Sequence, residues 1–288
     1  MKIFVMTDLE GPSGVVGKPR GDGALGHQIL NYDVAGEMLT EEVNACAEGL
    51  ENAGVDEVVA IDGHGGGNAF KIGKFRKNVF PGSLGGVMYP RTFGMSPEFD
   101  GAIQIGAHAM TGRNGFLNHT FSSGALNDMY LNDNLIGEVG IEILLAAYFG
   151  VPTILVSGDV CACKEALDFL GFEVPVVVTK DTPYRYMVIN RPPQRVRDEL
   201  RQKAYEAVQN IGKIPVKVMK PPFELKVRWM SVNSADECER RGAERLDDQT
   251  VRFVSDDFLD VWAQQQGWGA GVHQRRFPEL HNAGVWKR

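Results

Sequence analysis

Short apolar runs, each set off by turn residues, alternate with stretches of helical periodicity through the first two-thirds of the chain. Ile3–Met6, Val58–Ile61, Ala102–Gly106, Thr153–Val156 and Val174–Val178 are nearly continuous in apolar residues. Strands buried on both faces of a parallel sheet read this way. Between the first two runs, Ala35, Met38, Leu39, Val43, Ala47 and Leu50 recur at helical spacing. They predict a helix from about Val34 to Asn52, stopped by Gly54. Further helices are expected from about Leu135 to Phe149 and from just after Asp159 to Leu170. Strand, helix and strand joined by short connections make βαβ units, so the expected fold is α/β, a parallel-sheet core with helices on both faces.

The texture changes near Lys180. Thr182-Pro183 and Arg191-Pro192-Pro193 interrupt the rhythm, and Gln194 to Gln209 reads as a charged amphipathic helix. Val216–Val218, Phe223–Val227 and Thr250–Phe253 alternate in polarity, which predicts half-exposed strands. Asp256 to Gln266 is a last helix. The division expected is residues 1–180 as the core domain and 181–288 as a smaller α+β portion, which would shape the pocket and support oligomerisation. The tail after Gly267 carries Arg275, Arg276, Lys287 and Arg288 among Trp268, Phe277 and Trp286. It reads either as an arm laid across a neighbouring subunit or as a solvated tail.

The chemistry gathers where the apolar runs stop. The first ends on Asp8 and Glu10, the second on Asp62-Gly63-His64, and the third on His108. Residues i and i+2 of an extended chain share a side, so Asp8 and Glu10 point together. Paired carboxylates repel each other and resist burial, and a bound cation relieves both effects. Sites in open parallel sheets lie beyond the carboxyl ends of the strands, so these residues are expected to meet. Carboxylates mixed with imidazoles suit Zn²⁺ or a similar divalent ion. The donors exceed what one tetrahedral ion needs, which suggests two ions with Asp8 as the bridge and Asp62 steadying the His64 ring. His27, at the end of the Gly-rich stretch Gly11 to Gly26, is expected at the surface. So are Glu41 and Glu42, on the first helix, while Asp133 is expected to cap the helix after it. Gly65-Gly66-Gly67 fits neither nucleotide-binding glycine pattern.

Composition narrows the partners. The chain has 288 residues and a formal net charge of -7, which argues against nucleic acid and anionic membranes. The apolar stretch Ile141 to Val156, broken by Glu142, Gly150 and Pro152, is too short to span a bilayer. The spacing of Cys46, Cys161, Cys163 and Cys238 fits neither a disulfide framework nor a zinc hook, so reduced thiols in a soluble cytoplasmic protein are expected.

In order and spacing, several stretches resemble the D-aminopeptidase family of self-compartmentalising zinc peptidases. They are Asp8-Leu9-Glu10-Gly11-Pro12-Ser13-Gly14, Leu39 to Asn44, Asp62-Gly63-His64, Gly106-Ala107-His108-Ala109, His119-Thr120-Phe121-Ser122, Leu131-Asn132-Asp133 with Gly137-Glu138-Val139-Gly140, and Ser157-Gly158-Asp159. The resemblance covers about residues 1 to 180. It implies a dinuclear zinc centre, with Asp8 bridging, Glu10 and His64 completing one site, and His108 and Glu138 the other. It implies that His119 is the catalytic residue, described in the family as a nucleophile. It also implies a decamer enclosing a chamber, in which N-terminal D-residues are cleaved from short peptides. The loop from Val15 to Gln28 and the C-terminal portion depart from the family pattern. Two other readings stand beside this one: a two-metal hydrolase of phosphoesters or cyclic amides, and a non-catalytic oligomer holding structural metal.

Overall fold

The computed structural model describes residues 1–84 and 92–287. In chain order, the first half forms β1 (Lys2–Thr7), β2 (Gly17–Pro19), β3 (His27–Ile29), α1 (Tyr32–Asn52), β4 (Glu57–Asp62), β5 (Val79–Ser83) and β6 (Gly101–Ala107). Next come β7 (Leu126–Leu131), β8 (Asn134–Leu135), α2 (Glu138–Tyr148), β9 (Thr153–Asp159), α3 (Val160–Leu170), β10 (Val176–Tyr184) and β11 (Met187–Asn190). The remainder is α4 (Pro193–Gln209), β12 (Phe223–Trp229), α5 (Val232–Arg240), β13 (Glu244–Arg245), β14 (Thr250–Ser255), α6 (Phe258–Gln265), α7 (Val272–Arg276) and α8 (Pro278–Ala283).

A seven-stranded sheet runs in the order β11-β10-β9-β6-β1-β4-β5, parallel except for β11. β1 lies inside it, between β4 and β6. Its alternate residues enter two different cores, Ile3 and Val5 with α1 and α4, Phe4 and Met6 with α2, α6 and the second sheet. Both faces of β1 are therefore dry, which is why its sequence shows no alternation. The α/β expectation holds, with α1 and α4 on one face and α2 and α3 on the other.

The second sheet is antiparallel, in the order β13-β14-β12-β7-β8. It takes β7 and β8 from before residue 180, while β10, β11 and α4, at or after it, belong with the first sheet. The division expected at residue 180 therefore does not follow the sheets. Three smaller expectations also fail. Val216–Val218 forms no strand. Asp133 lies in the β7–β8 turn with a positive φ and accepts from Lys226 Nζ at 2.7 Å, and the cap of α2 is Gly137. The tail folds back on its own chain as α7 and α8, and Trp286 packs against the rings of Tyr148, Phe223 and Phe258. Arg288 lies outside the described residues. No helix among the described residues is long and apolar enough to cross a membrane.

Candidate metal centre

The turn after β1 is seated by its neighbour strand. Asp8 N–H donates to Ile105 O at 2.9 Å and Gly11 N–H to Gly106 O at 2.8 Å, so the chain bends across the end of β6. Gly106 has a positive φ, and a Cβ there would collide with the Asp8 carbonyl. Only glycine lets the two backbones lie this close. From the far side, the buried Lys180 ammonium donates to Glu10 O at 2.8 Å and Val15 O at 3.0 Å. Burial pulls this lysine down to about 7.

The loop after β4 brings His64 to the same place. Asp62 Oδ2 accepts from Ala69 N–H at 2.6 Å and Phe70 N–H at 3.2 Å, and Oδ1 from His64 N–H at 3.3 Å. Asp62 thus orders the loop and does not touch the His64 ring, which corrects the role expected for it. His108 follows β6, and its loop is tied by Ala109 N–H to Asp159 Oδ2 and by Met110 N–H to Glu165 Oε2. Glu138 stands in the first turn of α2. Its Oε1 accepts from Phe121 N–H at 2.7 Å, which fixes the segment carrying His119. Leu117 and Phe121, two residues to either side of His119, both have positive φ. Neither is glycine, so the backbone around this histidine is held in a sparsely populated conformation.

Asp8, Glu10, His64, His108, His119 and Glu138 all come together. Asp8 Oδ1 lies 2.9 Å from His64 Nδ1 and Oδ2 lies 3.1 Å from His108 Nε2. Glu10 Oε2 is 2.9 Å from His64 Nδ1. Glu138 Oε1 is 3.1 Å from His108 Nε2 and 3.9 Å from His119 Nε2. The His108 and His119 rings stack with centroids 4.1 Å apart.

Proton positions follow from the outer contacts. His108 Nδ1 lies 3.0 Å from Ala109 O and His119 Nδ1 lies 2.9 Å from Leu117 O. A carbonyl only accepts, so in each ring Nδ1 carries a proton and Nε2 is the atom turned inward. Buried His108 Nε2 and Glu10 Oε2 make no hydrogen bond. Carboxylate oxygens 3.1 Å from His108 Nε2 call for positive charge at that point, either a proton on the ring or a bound cation. The electrostatics agree. Burial opposes charge on His64 and His108, yet the surrounding carboxylates outweigh it. They hold His64 up to about 12 and His108 well above its ordinary value. Glu10 responds in kind: burial raises it, but His64, His27 and His108 together hold it well below its usual range. The residues present therefore fit divalent cations.

The site opens into a cavity of about 350 Å³ lined by Asp8, Glu10, His64, His119 and Glu138, with Phe93 and Phe121 as apolar walls. It is concave, partly apolar and fitted with a few convergent polar groups, as small-ligand sites are.

The profile of the D-aminopeptidase family matches residues 1–266. The chain belongs to the D-aminopeptidase family. A D-aminopeptidase of Bacillus subtilis (strain 168) is 29% identical over 268 residues, covering 91% of this chain and 94% of its own. A solved structure, described as the Zn-dependent D-aminopeptidase DppA from Bacillus subtilis, a self-compartmentalizing protease, superimposes with a TM-score of 0.82. It is 26% identical and covers 99% of both chains. The chain is a metal-dependent aminopeptidase.

Sequence reasoning missed several neighbours of this aminopeptidase's site. His27, expected at the surface, is 8% exposed in its side chain and places Nε2 3.1 Å from Glu10 Oε1. Nothing in its flanking sequence signals this, because the β2–β3 ribbon that carries it belongs to neither large sheet. Glu42, expected on the outer face of α1, is buried and accepts from Ser13 N–H at 2.7 Å. Glu41 does face outward, pairing with Arg197. Glu142 lines the cavity one turn after Glu138. Its spacing of four residues on α2 was a usable signal.

Proposed function

We propose that this chain removes N-terminal D-residues from short peptides at a centre of two zinc ions. Asp8 would bridge them, Glu10 and His64 would complete one site, and His108 and Glu138 the other. The observation that carries the reading is Asp8 itself, whose two carboxylate oxygens face two histidines, from the loops after β4 and β6, at 2.9 and 3.1 Å. Zinc is supported by the mixed donor set and by the zinc dependence of the solved relative.

When bound, the ions supply Lewis acidity, polarising the scissile carbonyl and stabilising the negative charge that develops on its oxygen. The protein supplies the rest. His119, anchored through Nδ1–H to Leu117 O, presents its Nε2 lone pair to the cavity. Burial, then the neighbouring His108, holds this imidazole below its ordinary value of 6.5, so it is neutral and ready to accept a proton. It takes one from the attacking water and returns it to the leaving amine. Phe93 and Phe121 give the substrate side chain an apolar wall.

Assembly into a closed homo-oligomer, a decamer by the family resemblance, is part of the same proposal. Val16, Leu25, Leu30, Tyr32 and Val34, in and around the β2–β3 hairpin, are exposed apolar residues of the kind a subunit contact would cover. The four cysteines are free, in keeping with a cytoplasmic location. Paired D- and L-aminoacyl dipeptides, assayed with Zn²⁺ before and after chelation, test the reading. Metal-dependent release of D-residues supports it, and equal or preferred release of L-residues overturns the stereochemistry.

A further inference from the structure

We infer that Glu10, His27 and His119 form a third cation site, and that an ion held there withdraws His119 from proton transfer. The inference rests on the two-ion reading only in counting the site as additional. Glu10 faces two ways. Its Oε2 lies toward His64 at 2.9 Å, and its Oε1 lies toward His27 Nε2 at 3.1 Å. His119 closes the triangle: one donor atom from each of the three residues lies within 4.8 Å of the other two. In His119, Nδ1 is occupied by Leu117 O, so Nε2 is the atom with a free lone pair. The His27 ring meets the His119 ring edge-on with centroids 4.8 Å apart, which brings both imidazoles to one side of the Glu10 carboxylate.

Two imidazoles and a carboxylate are a common donor set for zinc and its neighbours. All three residues line the cavity, so an ion enters from solvent and keeps open positions for water. Two features make the site weaker than the pair beside it. Glu10 shares its charge with the His64 side. His27 belongs to the two-stranded β2–β3 ribbon, which is not part of either large sheet. The ligand class is therefore a transition-metal dication in excess, and the consequence is inhibition by the same metal that activates.

The competing account gives His27 a plain hydrogen bond to Glu10 Oε1 and nothing more. To separate the two, the enzyme is dialysed to constant zinc content and then titrated with Zn²⁺. Bound metal is measured by equilibrium dialysis with elemental analysis, and turnover is followed in parallel. The wild-type chain should take up one further ion, and turnover should fall as it binds. His27→Gln should retain the dialysis-resistant zinc and bind the further ion at least roughly tenfold more weakly. Gln28→Ala, on the same ribbon, should titrate like wild type. Superimposable isotherms for wild type and His27→Gln would overturn the inference, as would a wild-type chain that takes up no further ion. Fewer than two dialysis-resistant ions would count against the dinuclear reading instead, while the His27-dependent step still decides this one.

Discussion

The pocket beyond β1 and the socket that holds the C-terminal tail are built from the same residue types, and the pocket lines a cavity of about 350 Å³. In the socket, Asp257 Oδ1 accepts from Tyr148 Oη–H at 2.9 Å and from Leu259 N–H at 3.0 Å, and Oδ2 lies 2.7 Å from His281 Nδ1. The chain continues from His281 Nε2 to His273 Nδ1 at 2.9 Å, and both histidines are fully buried. None of these atoms lacks a partner. In the pocket, buried His108 Nε2 and Glu10 Oε2 have oppositely charged neighbours at 3.1 and 2.9 Å but no hydrogen bond of their own. Buried polar groups are ordinarily satisfied, so an orphan at the mouth of a cavity marks a place for something else. Histidines and carboxylates alone do not distinguish a site from a structural clasp. What distinguishes them is whether their hydrogen bonds close among themselves.

This contrast predicts opposite responses to substitution. The largest effect is expected from Asp8→Asn, which removes charge from between the two histidines. Turnover should fall to background and bound metal should be lost, as measured by steady-state rates and elemental analysis. His119→Ala should lower kcat by ~10²–10⁴-fold with the dialysis-resistant metal unchanged. Loss of one of the two tightly held ions in that variant would make His119 a ligand of the pair. Asp257→Asn, in the socket, should behave the other way. Breaking a closed buried network should lower unfolding stability by about 3 kcal/mol in urea titrations and leave bound metal untouched.

Most of the scaffold was readable in advance because burial dictates it. Ile3–Met6, Val58–Ile61 and Ala102–Gly106 can be apolar throughout only if both faces of each strand are covered, and the helical periodicity of α1 fixes one of those covers. The strand ends then brought Asp8, Glu10, His64 and His108 to one edge. Glu138 and His119 were singled out only by the resemblance, since an acid in the first turn of a helix is ordinary and a loop histidine more so. His27 and Glu42 stayed hidden for a different reason. Their roles depend on where the β2–β3 ribbon and the turn after β1 land against the rest of the fold, and no local periodicity encodes that. The tail misled because its basic residues suggest solvent, whereas His273, His281 and Trp286 are what hold it down.

Two smaller effects refine the comparison through pH. Burial raises Glu42 to about 7, although Ser13 N–H opposes the shift. Between the ordinary 4.5 and about 7, the unfolded chain has released this proton and the folded chain retains it. The group therefore makes the fold lose stability as pH rises through that window. Glu42→Gln should cancel this dependence, so its stability relative to wild type should improve by ~1–3 kcal/mol between pH 4.5 and 7 in paired denaturation curves. A parallel pair of curves would show that Glu42 is ionised in the fold. The smallest effect concerns His119. Its imidazole is held below 6.5, so the acid limb of kcat/KM should lie below pH 6.5, and a limb above that value would assign the base elsewhere.

The central claim is that Asp8 stands between two ions. Anomalous scattering from crystals of the zinc-loaded protein, collected on both sides of the zinc edge, tests it most directly. Two peaks ~3.5–4 Å apart, one on either side of the Asp8 carboxylate, are expected. A single peak, or two peaks that Asp8 does not join, would contradict the account.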